Sequence, residues 1–270
     1  MTAAIVERLS AMPGKAARSF RKSMASRPDR PWYGLNENTD TLKWIAMVTM
    51  IIDHAAAIFF PREYWLRMIG RVSFPLFCWC LVVGADYTRN IGVYALRLLG
   101  LAVISQPAFM VALNHGLWDF NIFVTLLLGL IGIAGIQRGH FEAPALALAA
   151  SCFFRMDYGF RGVACILVMY ALRRNPALLA VGFTLFCAAW GLGASYNAPF
   201  YPALRYWGGA SMVVGRLLGS QVRMQSLAVL ALPLILIPTR RRRGTWGGGK
   251  WLYLVYPAHL WILYAVKAMR

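Results

Sequence analysis

The stretch "LKWIAMVTMIIDHAAAIFF", residues 42–60, is an apolar run interrupted near its middle by one acid and one imidazole, Asp53 and His54. As an α-helix rising 1.5 Å per residue, such a run reaches about 28 Å, close to the roughly 30 Å hydrocarbon core of a bilayer. Comparable runs recur along the chain, which is 59% hydrophobic and 14% charged. Soluble domains are about 45–50% apolar and about 25% charged. The mean hydropathy is +0.54. The runs are continuous rather than alternating, which favours helices over a membrane β-barrel. The predicted fold class is therefore all-α, a polytopic transmembrane helical bundle.

Hydropathy places candidate spans at 42–60, 71–88, 92–111, 121–137, 143–155, 161–173, 177–194, 223–238 and 251–267. The expected number is about nine, with eight to ten as the range, and the N-terminus cytoplasmic by the positive-inside rule. That count puts Arg89, Arg97, Arg138, Arg173, Arg174 and the run Arg240–Arg243 on one side. The Gly-rich stretch 205–222 reads as an interfacial or half-inserted helix. Residues 1–40 form a basic N-terminal leader, without the apolar core and small-residue cleavage site of a signal peptide. Residues 41–270 form the transmembrane domain. Asn38 to Asp40 are candidates to cap the first membrane helix.

Lysine and arginine total 28 against 10 acidic residues, a formal charge of +18. The basic residues cluster between apolar runs, as topology and contact with anionic lipids require, and this reading makes nucleic acid an unexpected partner. The five cysteines lie in apolar runs and read as small buried hydrophobes. The four histidines are scattered, so no metal site is expected.

Charged groups at membrane depth are costly and mark sites by default. Asp53 and His54 point about 100° apart on one helix, so each needs a partner from elsewhere. His54 is a candidate general base, because imidazole titrates in the range such work requires. Asp53 is the expected partner of Arg71, which follows on the next helix after a short loop. Pro75 suggests a kink beside them. Asp86 and Arg89 are spaced for a local ion pair. His259, behind Pro257, reads as packing or hydrogen bonding with a role in chemistry left open. Asn121, Asp119 and His115 sit in "NHGLWDFNIFVTL", residues 114–126, and Asp157 sits in "RMDYGFRGV", residues 155–163; both stretches read as breaks between spans.

"RMIGRVSFPLFCWCLVVGADYTRN" (67–90), "YALRLLGLAVISQPAF" (94–109), "NIFVTLLLGL" (121–130), "DYGFRGV" (157–163) and "YLVYPAHL" (253–260), together with the opening stretch, resemble the TraX family in order along the chain. That family is named for the F-pilin acetylase of conjugation systems. The resemblance implies a membrane-bound acyltransferase of the bacterial inner membrane. It would use acetyl-CoA as cosubstrate and a pilin-like protein or envelope glycan as acceptor. The catalytic residues expected are His54, Asp53, Arg71, His259 and Asn121. His54 would be the base, Asp53 and Arg71 would hold the site, and Arg71 or Asn121 would face the oxyanion. The donor-binding residues expected are Arg89, Arg97, Lys250 and Asp86. Two other classes fit the same residues: a transporter or flippase for an anionic substrate, and a non-enzymatic assembly factor.

Overall fold

The computed structural model describes residues 34–192, 225–239 and 252–269. Its named elements are helical: α1 (Thr39–Phe59), α2 (Tyr64–Gly70), α3 (Ser73–Tyr87), α4 (Ile91–Leu113), α5 (Ile122–Arg138), α6 (Glu142–Phe153), α7 (Gly159–Leu172), α8 (Pro176–Leu192), a 3₁₀ turn Leu227–Ala231 leading into α9 (Leu232–Leu236), and α10 (Leu252–Ala268). The all-α expectation therefore stands, but the span count is corrected. Among the described residues three helices are both long and apolar enough to cross a membrane: Thr39–Phe59, Trp65–Tyr87 and Ile91–Leu113. The other described helices are shorter. α6 has 12 residues and α7 has 14, which at 1.5 Å per residue give about 18 and about 21 Å. The range of eight to ten spans falls, and with it the alternation that placed the N-terminus in the cytoplasm. The 205–222 stretch, the Arg240–Arg243 run and most of the leader lie outside the described residues.

The helices stop where local chemistry stops them. Asn38 caps α1 by accepting from Thr41 N, Asn90 caps α4 by accepting from Val93 N, and Asn121 caps α5 by accepting from Phe123 N. α5 ends on Gly139 at φ 80°, with His140 N–H bonded to Gly135 O, the closure that a left-handed C′ glycine allows. α2 and α3 form one nearly continuous rod interrupted by a turn at Arg71 and Val72, both of which keep right-handed helical dihedrals. Pro75 lies in the first turn of α3, where its missing N–H is not needed, so the expected kink is replaced by this break.

α1 packs against α2, α3 and α10; α5 packs against α6 and α7. Small residues permit both close approaches. A Cβ on Gly129 or Gly132 would overlap Ile166 or Leu167 of α7, and one on Gly135 would overlap Ala143 of α6. A Cβ on Gly70 would lie 2.2 Å from that of Asp53. The segment before α1 is tied to the far part of the chain: Asn36 N bonds Ile235 O at 2.9 Å, Glu37 N bonds Thr239 O at 2.8 Å, and Trp79 Nε1 donates to Asn36 O at 2.7 Å.

Candidate functional site

Asp53 and His54 diverge as helical neighbours must. Asp53 turns to the α2–α3 break, where Arg71 Nη2 donates to both carboxylate oxygens at 2.7 Å. Arg71 also donates from Nη1 to Gln225 Oε1 at 3.0 Å and from Nε to Arg67 O at 3.2 Å. Arg67 Nε stands 3.3 Å from Asp53 Oδ1. The Asp53 and Arg71 side chains are only 11% and 5% exposed. A buried pair with this many hydrogen bonds is held strongly against the loss of one partner, because the survivor would be an unpaired buried charge.

His54 turns to α10. Its Nδ1 lies 2.8 Å from His259 Nε2, and His259 Nδ1 lies 2.9 Å from Val255 O. The two rings are within 7° of parallel with centroids 5.1 Å apart. Combined with the short N···N distance, that is an in-plane hydrogen bond rather than a face-to-face stack. The carbonyl assigns the tautomers. Val255 O only accepts, so His259 Nδ1 carries a proton and its Nε2 accepts; His54 Nδ1 must then be the donor. His54 Nε2 is left with its lone pair, and no protein group among the described residues bonds it. That is the state a general base needs.

His54 lines a cavity of about 60 Å³ with Asp53, Ser73, Asp157, Tyr158, Tyr253 and Tyr256 among its walls. Two further cavities share those walls. One of about 30 Å³, by Lys43 and Tyr94, shares Met47, Phe77, Leu126 and Tyr253 with it. Another, of about 740 Å³, lies between the α4–α5 and α6–α7 connections and shares Asp157 and Tyr158. The three succeed one another from the start of α4, at Tyr94, to its end, at Phe109. The largest has the volume of a small-molecule site. Its wall carries His115, Asp119, Arg155, Arg161, Cys152 and the amide of Gln225.

The large cavity is built by two connections that meet in a short parallel bridge, with Phe120 N bonded to Arg155 O at 2.8 Å and Asp157 N to Phe120 O at 2.9 Å. Tyr158 takes a left-handed φ of 63° to start α7. Asp119 accepts from Gly116 N–H at 2.9 Å and pairs with Arg155 at 2.9 Å. The Gly116 hydrogen bond, with help from Arg155 and His115, holds its carboxyl below the usual range. Asp157 behaves oppositely: desolvation, reinforced by Asp53 and opposed by Arg71, pushes its carboxyl up to about 7.

The remaining expected site residues are placed elsewhere. Asn121 is wholly buried, with Nδ2 donating to Ala102 O and Gln106 Oε1 and its oxygen capping α5. It does not line the cavity at His54, and neither does Arg71. Asp86 pairs with Arg173 at 2.8 Å and accepts from Gln137 at 3.1 Å. Its local pair with Arg89 is replaced because α3 ends at Tyr87 and Thr88 is extended, carrying Arg89 away. Arg89 and Arg97 are exposed and line none of the three cavities. Lys250 lies outside the described residues. Cys152 is exposed, whereas the other four cysteines are buried.

Four side-chain polar atoms are buried without a hydrogen-bond partner among the described residues: Arg67 Nε, Ser105 Oγ, Gln225 Nε2 and Tyr256 Oη. Gln225 has no motif around it and is found only through Arg71, whose donors oblige it to present its oxygen there. Its Nε2 is thereby left as a donor at the wall of the large cavity.

The model for "TraX protein" matches residues 38–267 of this chain, and the chain belongs to that family, membrane proteins associated with acyl transfer. It is 29% identical over 248 residues to the Dichelobacter nodosus protein named "Probable fimbrial assembly protein FimC, serogroup H1", a match covering 84% of this chain and 94% of that protein. It is 28% identical over 201 residues to a Protein TraX of Escherichia coli, covering 74% of this chain and 64% of that one. With Protein TraX of Escherichia coli strain K12 it shares 40% identity over 70 residues, 25% of this chain and 27% of the relative. No solved structure matches.

Proposed function

We propose that this protein is a bacterial inner-membrane acyltransferase that moves an acetyl group from acetyl-CoA to an amine or hydroxyl of an envelope acceptor, a pilin-like protein or a glycan. One observation carries the reading: a half-buried imidazole, His54, whose tautomer is fixed by a second imidazole and which lines a cavity adjoining two others. His54 Nε2 takes the proton of the acceptor. His259 keeps the ring in that tautomer and steadies the positive charge while the proton is held. The Asp53–Arg71–Gln225 cluster fixes the segment of α1 that carries His54, with Asp53 in the wall of the same cavity and Gln225 in that of the large one. Direct transfer is preferred to an acyl-histidine route, since each nitrogen of His259 already has a partner.

Arg89 and Arg97 line none of the three cavities described above. The cations with room for a large donor beside them are Arg155 and Arg161 at the 740 Å³ cavity. The name of the Dichelobacter relative supports an acceptor connected with fimbriae, and it equally supports the assembly-factor reading. An assay separates the two. The purified full chain is given acetyl-CoA labelled in the acetyl group together with an envelope extract. Thiol release coupled to label in the extract is the result expected. Fimbrial assembly that depends on the protein with no label transferred would favour assembly alone.

A further inference from the structure

We propose that Tyr256 is a catalytic residue whose phenolic O–H donates to the acyl oxygen as negative charge develops on it. The inference rests on the acyl-transfer reading above and names the group that reading lacks. An oxyanion needs a donor that is within the reaction cavity, shielded from water and not already engaged. Arg71 and Asn121 fail both the first and the last condition, since neither lines the cavity and each is hydrogen-bonded elsewhere. Ser73 lines it but donates its hydroxyl to Ala46 O at 2.8 Å. Tyr256 meets all three conditions. The residue is 4% exposed, it lines the same cavity as His54, and its hydroxyl has no hydrogen-bond partner among the described residues.

Its ring is also held in place. It packs edge to face on Phe123 with centroids 5.1 Å apart, and on His54 and His259 at 6.3 and 5.6 Å, with interplanar angles of 76°, 75° and 73°. Tyr256 lies one turn before His259 on α10, across the cavity from α1. Base and donor are thus carried on two different helices, joined by the His54–His259 bond and by the ring contact of Tyr256 on His54.

The step balances with groups already named. The acceptor lone pair bonds to the thioester carbonyl carbon, and the C=O pair moves onto oxygen, where Tyr256 O–H donates without losing its proton. The acceptor proton goes to His54 Nε2. When the pair returns, the C–S bond breaks; sulfur leaves with its electrons and takes the proton back from His54.

The test is Tyr256→Phe, which removes the hydroxyl and keeps the packing ring. With labelled acetyl-CoA and envelope extract, kcat is expected to fall by about 10²–10³-fold with KM for acetyl-CoA unchanged. Affinity for the unreactive ketone analogue S-acetonyl-CoA and the melting temperature in detergent are expected to stay at wild-type values. A kcat within twofold of wild type, or a loss confined to KM or analogue affinity, overturns the role of Tyr256 while leaving His54 as base. Absence of transfer by the wild type, with thioester turnover equal to that of His54→Ala, overturns the acyl-transfer reading and this one with it. If Tyr256→Phe does not fold, 3,5-difluorotyrosine at position 256 replaces it: a stronger donor changes kcat several-fold, and an unchanged kcat overturns the proposal.

Discussion

His54 and His259 are 205 positions apart and share a hydrogen bond of 2.8 Å between Nδ1 and Nε2. The bond joins α1 to α10 and fixes which nitrogen of His54 is free. His259→Ala leaves that choice open, and the expected result is a kcat reduced by about 10-fold to 10²-fold, within the range of acid–base contributions. His259→Asn, whose carbonyl can accept from His54, is expected to recover part of it. Kinetics of labelled acetyl transfer for the three proteins checks this; equal rates in all three would deny His259 an orienting role.

Asp53 and Arg71 are expected to matter for folding before chemistry. Asp53→Asn or Arg71→Met leaves an uncompensated buried charge or an unmatched donor, and the expected loss is about 3–5 kcal/mol. Asp53→Leu combined with Arg71→Met removes both charges and is expected to cost less than either single change. Denaturation in detergent of the two single variants and the double one gives the coupling. Additive losses would mean that the two side chains do not act as a unit.

Gly70→Ala tests the close approach that makes this pair possible. A methyl group there meets the Cβ of Asp53 at 2.2 Å, an atom fixed by its bond to the backbone that cannot swing aside as the end of a flexible side chain would. Overpacking of this kind costs about 1–3 kcal/mol. The melting temperature is expected to fall as α2 is pushed off α1. An unchanged value would show that the two helices are not in such contact.

Asp157 gives the fold a pH dependence whose sign follows from its position. Its carboxyl is raised to about 7 in the folded chain by desolvation, with Asp53 adding to the shift and Arg71 opposing it. The unfolded carboxyl titrates near about 3.9. The neutral acid therefore favours the fold fully below about pH 4, and that contribution declines through the interval and is gone above about pH 7. Wild-type protein should melt lower at pH 8 than at pH 5, and Asp157→Asn should reduce that difference. Identical slopes for the two proteins would exclude Asp157 as the titrating group.

The helical class was legible because continuous apolar runs leave the backbone no other way to satisfy its own hydrogen bonds. The span count was not, because hydropathy reads composition and misses where a helix stops. Phe154 leaves α6 in an extended conformation after only 12 helical residues, although the apolar run continues to that point. Asp53 and Arg71 were within reach of sequence reasoning, being joined by a short connection. Gln225 was not recognisable as a site residue, since what marks it is a buried atom left without a partner. Tyr256 stands in a stretch that carries the family resemblance, but its role follows only from its buried hydroxyl. The His54–His259 bond depends on how α10 returns to α1, which no local pattern encodes. Asp86 shows the reverse failure: a local spacing offered Arg89, and the end of α3 assigned Arg173 instead.

The central claim is that His54 accepts the proton of an acyl acceptor. The most direct test is acetyl transfer from labelled acetyl-CoA to envelope extract by purified wild type and His54→Gln, each first shown to be folded by its melting transition. The account predicts label transfer by the wild type and a rate lower by about 10²–10⁴-fold in the variant. A folded His54→Gln protein that transfers label at the wild-type rate would contradict it.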